Sequence, residues 1–493
     1  MSSATVSNEA IAPNAKRLLW AGFMAILAAG VGFSIRGGIL GDWGTQFGFT
    51  QSDLGNITGG GLTGFGIIIL LGALIADKVG YGKLMIFAFT MHLLSAIVTL
   101  AATPIYNSMV ATNPVGAKNA AYQCLFWGMF IFALGNGTAE AVVNPLVAAL
   151  FPKNRTHYLN ILHAGWPGGL VAGGLVSYFM VGKVKWEIQM SLFMIPVVFY
   201  GLMCLKQKFP KSEASEHGVS FFDMLREFAA PLLLLLLVIH GLLGYVELGT
   251  DSWISNITGN ILASREHGLL LFVYTSTLMF ILRFFAGPIV HRISPLGLLF
   301  VGASCGAIGL TLLGNATTGL FVVIAATIYG VGKTFLWPTM LGVVSERFPK
   351  GGAITIGAMG GIGMLAAGLL GGPGIGYNQD YAASNDLKQK APAVYDQYKS
   401  ESKNKFLFFP EIQGLDGSKV GAIRGKAADV RTPEEAQVHD ADLHGGRTAL
   451  KTTAAVPATM AVLYLLLILY FRTKGGYKQV HIAGTGHGAK EVV

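Results

Sequence analysis

Charge is scarce in this chain. Of its 493 residues only 12% are Asp, Glu, Lys or Arg, while 52% are hydrophobic. Soluble domains carry about 25% charged residues, so the balance points away from a water-soluble domain and toward a membrane protein. Cysteine is scarcer still. Cys124, Cys204 and Cys305 stand singly in apolar runs, which argues against a disulfide framework and a cysteine-based metal site. No His or Cys cluster has metal-ligand spacing and no nucleophile motif stands out. An enzyme, a metal and a cofactor are therefore not expected. The net charge of +9 would suggest nucleic acid in a soluble protein. Here the cations sit in short turns between apolar runs, the pattern of a positive-inside membrane topology, and no nucleic-acid partner is expected. Glycine is abundant, at 66 residues against a usual share of roughly 7%. Small residues let membrane helices approach closely.

Twelve apolar segments can be counted, at about 18–40, 53–76, 83–103, 121–148, 157–181, 188–206, 229–252, 267–288, 295–314, 318–345, 352–376 and 450–471. Each is long enough to span about 30 Å of hydrocarbon at 1.5 Å per residue. The expected fold is an all-α polytopic membrane protein of 12 transmembrane helices in two six-helix pseudo-repeats. Basic residues concentrate in alternate turns, among them Lys16, Arg17, Lys78, Lys83, Lys153, Arg155, Lys206, Arg347, Lys350 and Arg472. That asymmetry places those turns and both termini in the cytoplasm, in the inner or plasma membrane of the cell. The first helix reads as uncleaved, since Arg36 and glycine-rich sequence stand where a small-residue cleavage site would be. The expected division is a tail 1–17, a six-helix bundle 18–206, a central loop 207–228, a second bundle 229–472 and a tail 473–493. Within the second bundle an insert at 377–449 joins the last two helices on the outside. It shows little hydrophobic periodicity and is expected to be partly ordered, either a lid or a loop with no role in transport.

The halves repeat each other weakly. Asn144-Pro145 with Phe151-Pro152-Lys153 in the first answers Trp337-Pro338 with Phe348-Pro349-Lys350 in the second. A duplicated unit of this kind places a solute site between the halves, near the bilayer midplane. The turn Asp77-Lys78-Val79-Gly80 resembles the signature loop of the major facilitator superfamily, although Ala73 stands where that loop begins with glycine. Arg283-Phe-Phe-Ala-Gly287 resembles the family's eighth helix, and His291 departs from the acid usual after it. Within the superfamily, Glu140-x-x-x-Asn144-Pro145, Leu159 to Ala164 and Tyr245-Val-Glu247 resemble the fucose permease (fucose–galactose–glucose:proton symporter) branch. That branch carries an acid in its first helix, where this chain has Arg36. The resemblance implies that Asp77, Lys78, Gly80, Arg283 and Arg292 are gating residues holding inner helix ends together, and that Glu140 is the proton- or sugar-linked glutamate.

Ionisable groups inside membrane-length helices are functional candidates by default. Glu140 lies about 16 Å from the Phe151 end of its helix, and Asn136, Glu140 and Asn144 share a face at i+4. An unpaired carboxylate there suits reversible protonation. Arg36 is a candidate for coupling, for pairing with Glu140 or Glu247, or for snorkelling outward. His163 and Trp166 lie one turn apart; a Trp face stacks on a sugar ring, while Asn, His and Glu bond hydroxyls. Tyr245, Glu247, Lys333 and Trp337 complete the expected substrate set, with Lys333 either contacting solute or neutralising a carboxylate such as Glu140. Gly244 and Gly249 are candidate hinges beside Glu247. For every one of these residues the alternative is helix packing or a structural ion pair. The function expected is proton-coupled import of a monosaccharide by alternating access, through a monomer whose partners are a small solute, the proton and the bilayer. An organic anion or acidic sugar carrier is the alternative that Arg36 and Lys333 motivate. A non-transporting membrane nutrient sensor is the alternative of another class.

Overall fold

The computed structural model describes residues 12–47, 51–180, 183–400, 403–483 and 490–492. Residues 1–11, most of the expected N-terminal tail, lie outside the described residues. Among the described residues, ten helices are long and apolar enough to cross a membrane. The two remaining expected segments are helical too. The fifth is broken at Ala164 into Arg155–His163 and Gly165–Met180. The eighth, Arg265–Arg283, has charge at both ends and Thr275 and Ser276 in its middle. Polarity, not absence, separates ten from twelve.

The pseudo-repeat is visible in the packing. In the first half the Ala15–Phe47 helix packs on Gly165–Met180, and Tyr81–Leu100 on Pro114–Leu150. In the second half Pro231–Gly244 packs on Gly352–Ala366, and Ala286–Gly314 on Gly319–Lys333. The halves meet along two seams, Gln51–Val79 against Gly352–Ala366 and Gly165–Met180 against Arg265–Arg283. Glycine makes these approaches. Gly165, Gly169 and Gly173 recur at four-residue spacing, and a Cβ on them would stand 2.5, 2.4 and 2.7 Å from the carbonyl oxygens of Phe23, Leu27 and Val31. This is the small-xxx-small contact of membrane helices. The outward faces carry Ile86, Ile97, Leu320, Val462 and Leu466, each more than half exposed, as lipid-facing side chains should be.

At the end of the bundle that carries the chain termini, the halves are bonded to each other. Arg155 donates to the Ser345 carbonyl at 2.5 Å and pairs with Glu213 of the central segment. Thr156 donates to Glu346 at 2.9 Å, and Asn160 to Thr339 at 3.2 Å. The chain after the last helix adds a strap. Tyr477 donates to Glu346 at 2.7 Å, Gln479 to the Pro152 carbonyl at 2.8 Å, and Ile482 packs with Ala214, Met224 and Ile354. This end is shut.

The insert at 377–449 is largely helical among the described residues. The Gly372–Lys390 helix runs on from the eleventh span, and Pro433–Thr453 leads into the twelfth, with Pro392–Tyr398 and Gly417–Arg424 between them. The boundary drawn at 377 falls inside a helix. Leu387, Val394, Tyr395, Val420, Ile423, Val438 and Ala441 form a small core of their own. Four separate helices contribute one or two of these residues each, so no single stretch shows the period. The Pro433–Thr453 helix opens on a capping box, in which Thr432 and Glu435 satisfy each other's backbone amides at 3.1 and 3.2 Å.

Candidate functional site

The polar groups at mid-depth form two separate chains. In the first, Asn144 donates to Glu140 at 2.7 Å, and the far oxygen of the Asn144 amide bonds His163 Nε2 at 2.8 Å. The i+4 spacing of Glu140 and Asn144 makes the first link within one helix; the break at Ala164 sets His163 at a helix end. His163 then meets the other half through its backbone, because Arg283 donates to the His163 carbonyl at 2.5 Å. Arg283 also donates to Glu247 at 3.0 Å and to the Thr334 carbonyl at 2.7 Å. Lys333 pairs with Asp251, and its ammonium sits 5.2 Å from the Tyr329 ring centroid. The Gly319–Lys333 helix stops at this point, and Leu336–Arg347 starts after Thr334 and Phe335. The interruption exposes the Thr334 carbonyl to Arg283. A π-turn at Tyr245–Gly249 does the corresponding thing on the seventh span, turning Glu247 toward Arg283.

The charges in this chain are unequal in their partners. Arg283, Glu247 and Lys333 are buried and Asp251 is half-buried, and the four occur as two ion pairs. Glu140 is buried, at 6% exposure, and has no ion pair among the described residues, although it lies within electrostatic reach of Arg283. One oxygen of Glu247, Oε2, is buried with no hydrogen-bond partner. His240 is fully buried, both ring nitrogens lack a partner among the described residues, and its ring centre lies 4.6 Å from that of Trp337.

The second chain lies inside the first half. His92 bonds Asn136 and the Tyr200 hydroxyl, each at 2.8 Å. Arg36 lies over the Phe132 ring at 3.7 Å. Asn136 is thus not joined to Glu140, despite their shared helix face. Arg36 is paired with neither Glu140 nor Glu247 among the described residues.

The structure redistributes several candidates. Arg283, grouped with gating residues by resemblance, is 1% exposed and bonded to Glu247 at mid-depth. Lys333 neutralises Asp251, not Glu140. Tyr245 turns away from Glu247 toward Gly371 and Gly374. Trp166 lies outside the bonded chain, its ring 5.6 Å from Phe33. The two candidate hinge glycines stand at close helix approaches: a Cβ on Gly244 would stand 2.0 Å from the Gly363 carbonyl oxygen, and one on Gly249 2.7 Å from the Gly371 Cα. Asp77 lies near Gly352 and Ser212 at the terminus-bearing end, Lys78 and Arg292 are exposed, and Gly80 has φ 92°, a conformation that favours glycine. His92, His240, Asp251 and Arg155 are the polar residues that sequence reasoning undervalued. Both histidines sit in apolar runs, so the criterion that singled out Glu140 applies to them equally.

The comparisons with known proteins agree with this architecture. A family model described as the Major Facilitator Superfamily matches residues 22–372. The chain belongs to that superfamily. It is a multi-pass membrane protein with a transporter's fold. Solved structures of similar fold include a fucose:proton symporter from Escherichia coli, at 16% identity and a TM-score of 0.60, covering 91% of this chain and 98% of that one. A proton:xylose symporter bound to 6-bromo-6-deoxy-D-glucose gives 15% identity, a TM-score of 0.66 and coverage of 93% and 95%. A human organic anion transporter gives 13% identity, a TM-score of 0.60 and coverage of 92% and 100%. At such identities the likeness is one of fold. No curated protein matches the sequence.

Proposed function

We propose that this superfamily member imports a neutral monosaccharide together with a proton. The observation that carries the reading is Glu140: a buried carboxylate without an ion pair among the described residues, hydrogen-bonded through Asn144 to His163, whose carbonyl Arg283 of the other half grips. Protonation removes a lone charge from the bilayer's mid-depth and converts an acceptor-only group into a donor. Either change reaches the seam between the halves through three hydrogen-bonded links. Motion of one half against the other would then alternate access to the site. The basic residues of the terminus-bearing turns support placing that end, now shut, in the cytoplasm.

A neutral solute fits the charge pattern better than an anion. Lys333 and Arg283 are each committed to a carboxylate, Arg36 lies apart from them over the Phe132 ring, and Glu140 adds one more negative charge. The free groups, Glu247 Oε2 and the two nitrogens of His240 beside the Trp337 face, are acceptors and donors suited to hydroxyls and an apolar ring face. The fold similarity to an organic anion transporter does not bear on this choice, because one fold hosts many solutes.

The test is uptake into proteoliposomes under an imposed inward proton gradient, across neutral hexoses, pentoses and hexuronates, with wild type and Glu140→Gln. Gradient-driven accumulation of a neutral sugar in wild type, reduced to equilibration in Glu140→Gln, is expected. Accumulation of hexuronates alone would overturn the reading.

A further inference from the structure

The insert carries an apolar tip that its own core does not use. Leu407 is 57% exposed, Phe408 85% and Phe409 40%. The backbone is strained to present them: Leu407 has φ 49°, a conformation rare for a bulky residue. The tip is nevertheless held firmly. Phe408 stacks on Phe409 at 4.7 Å, Phe409 lies 5.8 Å from Tyr377, and the Tyr377 hydroxyl donates to the Pro410 carbonyl at 2.6 Å. Phe406 lies against Gly374, at the end of the eleventh span.

Height and direction then follow. The last span, Ala455–Thr473, has 19 residues and so covers about 28 Å, close to the hydrocarbon thickness of about 30 Å. Thr452 therefore stands at the hydrocarbon edge away from the termini. Thr448 and Thr452 line an open cleft together with Phe409, Tyr377, Tyr381 and Asn385. Thr452 also continues the stripe of Thr459, Leu466 and Tyr470, whose seven- and four-residue spacing forms the exposed outer face of the last span. The cleft and the tip thus sit directly over a lipid-facing stripe. Lys403 and Lys405 beside the tip are exposed, and cations with interfacial aromatics are the usual composition of the headgroup zone.

We propose that the Leu407–Phe409 tip is buried in the bilayer leaflet on the side away from the chain termini and anchors the insert to it. The tip meets the acyl boundary, and the cleft lies in the headgroup layer. The anchor fixes the insert to the second half's side of the molecule, so that the insert travels with that half.

The experiment uses the full chain with Cys124, Cys204 and Cys305 replaced by serine, and an environment-sensitive fluorophore on Phe408→Cys. Ala427→Cys, exposed elsewhere on the insert, is the control, and Leu407→Cys gives a second reporting position. Each protein is placed in phosphatidylcholine nanodiscs with and without doxyl-labelled lipid. The probes at 408 and 407 should be quenched several-fold more by shallow doxyl lipid than the probe at 427, and should be shielded from aqueous iodide. A probe at 408 that iodide reaches as readily as at 427 would overturn the proposal. Shielding from iodide without quenching by lipid would overturn it too, and would assign the tip to a second copy or another protein.

Discussion

Replacing Arg283 with leucine should reveal how much of the molecule's cohesion passes through one guanidinium. Arg283 bonds Glu247, the Thr334 carbonyl and the His163 carbonyl, and so joins its own span to three others across both halves. Removing it leaves the Glu247 carboxylate buried without its ion-pair partner. Breaking a buried pair from one side costs about 3–5 kcal/mol. The two orphaned carbonyls add to that cost, since a buried unmet hydrogen-bonding group costs about 1–3 kcal/mol. Glu247→Gln should cost less, because the amide oxygen still accepts from Arg283. Arg283→Leu combined with Glu247→Leu should recover at least about 2 kcal/mol of the single-mutant loss, since the stranded charge is gone. The assay is unfolding by sodium dodecyl sulfate in mixed micelles, followed as a double-mutant cycle. Additive single effects, with no recovery in the double mutant, would refute the argument that the ion pair is the element that holds.

Other outcomes follow from the packing. Gly244→Ala should destabilise by about 1–3 kcal/mol through overpacking in the same micelle assay, because the Gly363 backbone blocks a Cβ there; an unchanged midpoint would contradict the close approach. Arg155→Ala, or truncation after Gly476, should loosen the shut terminus-bearing end. Hydrogen bonds to charged groups contribute about 1.5–3 kcal/mol each, so labelling of a cysteine placed at Thr156 should accelerate at least tenfold, and an unchanged rate would show that the strap and Arg155 do not hold the gate.

Much of the fold was legible because membrane spans announce themselves by length and apolarity. Turn charges and the Asn144-Pro145 and Trp337-Pro338 repeats gave the two-fold plan. The insert was not legible, because its core residues, from Leu387 to Ala441, come from four separate helices and meet only in three dimensions. Its capping box at Thr432 and Glu435 was a local signal that was passed over. At the site, Glu140 and Asn144 could be joined by helical spacing alone. The partners of Arg283 and Lys333 could not, since they depend on a π-turn at Tyr245–Gly249 and a break at Thr334–Phe335 that no apolar period reveals. Asn136 shows the limit of face arguments. It shares a helix face with Glu140, yet His92 from a neighbouring span claims its side chain.

The central claim is that Glu140 carries the proton that moves with the sugar. Proteoliposomes holding a trapped pH dye, with no imposed gradient, test it directly. Adding the neutral sugar that wild type accumulates should acidify the lumen. Glu140→Gln should exchange the same sugar without moving the dye. Equal acidification by the mutant would contradict the account and place the coupling group elsewhere.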